Sequence, residues 1–132
     1  CLEFAKYYRD NFVPSVFSSE PRISVGIFSI CAETDTEAEE LALSASMWRQ
    51  NSQRGLFAPF PTLDEAKGSI KLNNTDDKEN RTFVGSPETV QEKLQPLLEE
   101  VQPEELKIIT ICEPFVARKK SYDLIKNIFN AN

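Results

Sequence analysis

At 132 residues, with 40% hydrophobic and 27% charged side chains, the chain has the make-up of a single soluble globular domain. Its formal net charge of −6 and pI of about 4.8 exclude the basic face that a nucleic-acid partner would demand. No apolar run approaches the roughly 20 residues that cross a bilayer, and no signal peptide is visible, so neither nucleic acid nor membrane is an expected partner.

The three cysteines, Cys1, Cys31 and Cys112, are far apart and odd in number. They suit reduced thiols in a cytoplasmic protein better than a disulfide framework. With no histidine and no close cysteine pair, zinc has no ligand set and no metal site is expected. The commonest general base is missing too. Residue 1 is Cys rather than Met, which reads as a fragment or a processed product.

In chain order, residues 2–12 predict a helix, ended by Pro14 and the serines that follow. Residues 22–31 predict a strand with apolar residues on both faces, as in a covered parallel sheet. Thr34 and Glu37 have capping-box spacing. The helix after them sets Ala38, Leu41, Ala42, Ala45 and Trp48 on one face and stops near Arg54 and Gly55. Residues 55–80 break this rhythm as a long insertion, with a short helix over 63–67 that Thr62 could cap. Within it, residues 73–80 (NNTDDKEN) read as a polar, mobile stretch.

Order resumes with a short strand over 81–84 and a helix over 86–101, where Pro96 predicts a kink. Gly85, Ser86 and Pro87 supply a turn, a cap and a donor-free first helical position. Glu88 adds negative charge where the helix dipole is positive. A strand over 106–112 and a helix from Pro114 complete the chain, with Arg118, Lys119 and Lys120 expected on a solvated face. Repeated strand–helix units imply a parallel sheet of about three strands with four main helices.

Four pieces carry a resemblance: YRDNFVPS at 8–15, CAETDTEAEELA at 31–42, VGSPETV at 84–90, and ITIC at 109–112 continued by ARKKSYDLI at 117–125. At these spacings the chain resembles the bacterial luciferase-like, flavin-dependent monooxygenases over nearly its whole length. The resemblance implies an α/β fold, the C-terminal half of a (β/α)8 TIM barrel. A whole barrel needs about 250 residues. It further implies that residues 1–132 form one partial-barrel domain made of the helix after strand five and then strands six to eight, with 84–90 as the junction of strand seven and its helix.

Such proteins bind reduced FMN, or a related deazaflavin, and use oxygen to oxidise an organic substrate such as an aldehyde. A flavin reductase is an implied partner of the parent enzyme. Most flavin contacts in the family come from earlier strands, so this chain alone is expected to lack a complete flavin site and to be inactive by itself. Open strand edges and an uncovered apolar face also predict association, either with itself or with a missing N-terminal half-barrel.

Active sites of barrels lie at the C-terminal ends of the strands. There Cys31, Thr110, Cys112 and Glu113 could line a substrate or flavin pocket, while both cysteines could equally be small buried fillers. The insertion 55–80 could close as a lid, with Arg54, Phe57 and Phe60 on its inner side, or simply pack on the rim. The turn at Gly85 and Ser86 could cradle a phosphate, but Glu88 favours a plain helix cap. Three functions follow. The chain is the C-terminal part of a flavin monooxygenase, a truncated non-catalytic half-barrel acting as a binding or oligomerisation module, or an unrelated small α/β protein that shares only capping sequences.

Overall fold

The computed structural model describes residues 2–69 and 82–130. In chain order the elements are α1 (Leu2–Asp10), β1 (Ser24–Cys31), α2 (Asp35–Gln53), α3 (Leu63–Gly68), β2 (Thr82–Gly85), α4 (Pro87–Val101), β3 (Glu105–Ile109) and α5 (Phe115–Asn130). The three strands form one parallel sheet, as expected. Five helices are present among the described residues, the fifth being α3 inside the insertion. Its N-terminus is fixed by the expected residue: the Glu65 N–H donates to Thr62 Oγ1 while the Thr62 N–H donates to Glu65 Oε2 at 2.8 Å. The stretch 73–80, read from sequence as polar and mobile, lies outside the described residues.

The strand order is β2-β1-β3. This corrects the placement of the three strands as barrel neighbours six, seven and eight. Consecutive strands of a (β/α)8 barrel lie side by side, so β2 would then sit in the middle. Instead β1 is central and the four-residue β2 flanks it. Pairing is staggered: β2 meets residues 28–31 of β1, and β3 meets residues 24–28 on the other side. The edge of β1 over residues 24–27, below β2, has no partner strand among the described residues.

The strand periodicity sorts the core into two clusters. Val25, Ile27 and Cys31 point to one face, where α4 and α5 bury them with Val90, Leu94, Val101, Ile125 and Ile128. The second cluster joins Ile30 and Cys112 to Ala38 and Leu41 of α2. The α2 stripe expected from sequence packs as read through Ala38, Leu41, Ala42 and Ala45, whereas Trp48 at its end is exposed. Ser44 is also fully buried there, its hydroxyl without a hydrogen-bond partner among the described residues. Helix α4 continues through Pro96 to Val101 and ends on left-handed Gln102 (φ 46°). Arg9 of α1 closes that end, its guanidinium donating to the Val101 and Gln102 carbonyls at 2.6 Å each. These are carbonyls that a helix C-terminus leaves unpaired.

Candidate functional site

The C-terminal ends of the strands are held together by side chains rather than by ladder bonds alone. The Ser29 hydroxyl donates to the Phe83 carbonyl of β2 (2.9 Å), and the Thr110 hydroxyl donates to the Ser29 carbonyl (2.8 Å). The Cys31 N–H donates to the Ser121 hydroxyl of α5 (2.9 Å), and the Thr110 N–H donates to the Tyr122 hydroxyl (3.0 Å). Ser29, Thr110 and Ser121 are all buried. Each hydroxyl satisfies a backbone group where the strands part, so none is left as a buried orphan.

The Gly85 and Ser86 turn is a second junction. Ser86 accepts from the Thr89 N–H at 3.4 Å, the cap read from sequence, and Pro87 occupies the first helical turn. The position a phosphate would take holds a carboxylate from the chain itself: the Ser86 N–H donates to Asp35 Oδ1 at 2.7 Å. This bond, with further donation from Thr89 and Ser86, holds the Asp35 carboxyl below the usual carboxylate range. Glycine is required next to it. A Cβ on Gly85 would lie 2.6 Å from Thr89 Cγ2 and 2.9 Å from Asp35 Oδ1.

The sheet face opposite α4 and α5 carries an apolar cleft. Phe28 and Ile30 of β1 with Ile109 and Ile111 form its floor. Ala45, Trp48 and Arg49 of α2, with Thr82 of β2, form its wall. The Arg49 guanidinium donates to the Thr82 hydroxyl at 2.8 Å. Trp48 meets Phe60 at 6.3 Å between ring centroids. The cleft encloses about 40 Å³, far below the roughly 300 Å³ at which ligand pockets begin. Phe28 and Ile109 in its floor are half-exposed.

The sequence-predicted site residues divide. Phe60 lies beside this cleft through Trp48. Cys31 belongs to the core against α4 and α5, and Thr110 is spent on the Ser29 carbonyl, so neither enters the cleft. Burial, with Glu88 adding to it, pushes the Cys31 thiol up to about 11. Cys112 lies in the α2 cluster, its thiol also raised by burial. Both therefore sit as buried thiols, poor nucleophiles at neutral pH. Glu113 accepts from the Leu63 N–H at 3.3 Å, tying the start of α3 to the loop between β3 and α5. Lys67 of α3 pairs with Glu40 of α2 at 2.7 Å. The described part of the insertion is thus tied to α2 and to the loop before α5.

Arg54 is exposed at the C-cap of α2, just before left-handed Gly55 (φ 74°), and Phe57 is almost fully exposed. Trp48, read from sequence as part of the packed α2 face, and Arg49, not singled out there, both line the cleft. Trp48 continues the apolar stripe of α2, and nothing in that stripe distinguishes its packed end from the end that overhangs the sheet.

No family model matches the chain. It is similar to three uncharacterised proteins of Bacillus subtilis (strain 168): YceB (34% identical over 128 residues), YwcH (29% over 129) and YvbT (27% over 126). These matches take in 92–94% of this chain but only 38–39% of each relative, so the chain spans about two fifths of their length. In structure it is similar to apo-MsnO8, with a TM-score of 0.87 and 26% identity. That likeness covers 99% of this chain and 41% of MsnO8. The whole arrangement of strands and helices described above therefore recurs as one part of a longer chain.

Proposed function

We propose that the chain supplies the last strands and the rim helices of a luciferase-like, flavin-dependent monooxygenase. The observation that carries this reading is the apolar cleft at the C-terminal half of the sheet, where a (β/α)8 barrel keeps its active site. The strand order supports a refined placement. β1 and β3 would be the last two neighbouring barrel strands, and β2 a short accessory strand following the insertion.

The residues present fit part of a flavin. Phe28, Ile30, Ile109 and Trp48 would hold one face of its flat ring system. Arg49, beside the Thr82 hydroxyl, would stand at the edge. The helix N-terminus that could take a phosphate is filled by Asp35, so the phosphate would bind to residues outside this chain. When bound, the reduced flavin would supply the electrons with which oxygen oxidises the organic substrate. The chain's own contribution is to orient the ring and keep water from that face.

Trp48 is the only tryptophan, so its fluorescence reads the site directly. Titrating FMN should leave Trp48 unchanged in this chain alone. In a full-length protein containing this segment it should quench Trp48 saturably, and Arg49→Ala should weaken that binding by about tenfold, the scale of one lost charge-assisted contact. A full-length protein that takes up no flavin would sink the proposal. Tight binding by the 132 residues alone would refute the incomplete site.

A second reading, a non-catalytic module that associates through its open surfaces, is favoured by one observation. Phe4, Val13, Val16, Phe17, Phe57 and Val116 are each at least 74% exposed. A flavin-free, stably oligomeric protein in solution would select this reading.

A further inference from the structure

We draw no further inference here: the strongest candidate, the groove of about 300 Å³ beneath the exposed Phe4 and Tyr8 of α1, lined also by residues 22–25 and Val101, carries nothing because nothing in the structure shows what covers it.

Discussion

The two halves of the sheet are built to different standards. At the C-terminal end, residues 28–31 of β1 lie against β2, and hydroxyls of Ser29, Thr110 and Ser121 close the gaps where the strands part. Asp35 and Glu113 tie helices to the same end. At the N-terminal end, residues 24–27 pair with β3 alone among the described residues, and Ser24 and Val25 line the groove beneath α1. Satisfied polar groups mark the one end, and an apolar groove under the exposed Phe4 and Tyr8 of α1 marks the other. The difference shows where side chains, beyond strand pairing, close the sheet.

Core truncation should give the largest contrast between the halves. Leu94 is 1% exposed, in the cluster under the sheet, and Leu94→Ala should cost about 2–5 kcal/mol in urea unfolding of the isolated chain. Phe4→Ala, at the groove, should change stability by less than about 0.5 kcal/mol. A large cost at Phe4 would mean that the groove is already packed. Next in size is Ser121→Ala, which strips the buried Cys31 N–H of its acceptor and should cost about 1–3 kcal/mol. Gly85→Ala should cost a similar amount, about 1–3 kcal/mol, because its Cβ would collide with Thr89 and Asp35 at a backbone φ of 156°. If either variant unfolds at the wild-type urea concentration, the C-terminal half is not held as described.

Much of this was legible in the sequence, and the gaps follow from what local pattern can encode. The caps at Thr34, Thr62 and Ser86 and the stop at Gly55 act within a few residues, so spacing alone locates them. The parallel sheet followed from alternating elements. Strand order did not, because a short strand after an insertion reads the same whether it joins the middle of the sheet or its edge. Cys31 ends β1 and Thr110 follows β3 directly, but β3 stops at Ile109, so Cys112 and Glu113 lie in the loop before α5 and not at the end of a strand reaching 112. Alternation alone does not say which face meets helices when both faces are apolar. Asp35 had no role in the sequence reading. Its bond to Ser86 spans 51 residues and depends on the tertiary fold.

The smallest effect separates the charge of Asp35 from its shape. Its carboxyl titrates below the ordinary value because it accepts from the Ser86 N–H, so the folded state binds its proton less readily than the unfolded chain. The stability this contributes is present above the unfolded pKa, about 3.9, and is lost as pH falls through the lower folded value. Glu104, held down by the Ile23 N–H, and Glu105, held down by the Ser24 side chain, act with the same sign. The informative quantity is therefore a difference between proteins. Asp35→Asn keeps an oxygen for Ser86 but removes the charge. It should be less stable than wild type at neutral pH, and the two urea-unfolding curves should converge as pH drops below about 4. Glu104→Gln should converge likewise, but it acts at the N-terminal end, where Ile23 enters β1, so its effect on amide exchange at Gly26 of β1 should exceed that of Asp35→Asn. Parallel curves for Asp35→Asn at every pH would mean that the carboxylate is only a neighbour of the Ser86 turn. The anion position at the start of α4 would then be open to a ligand phosphate after all.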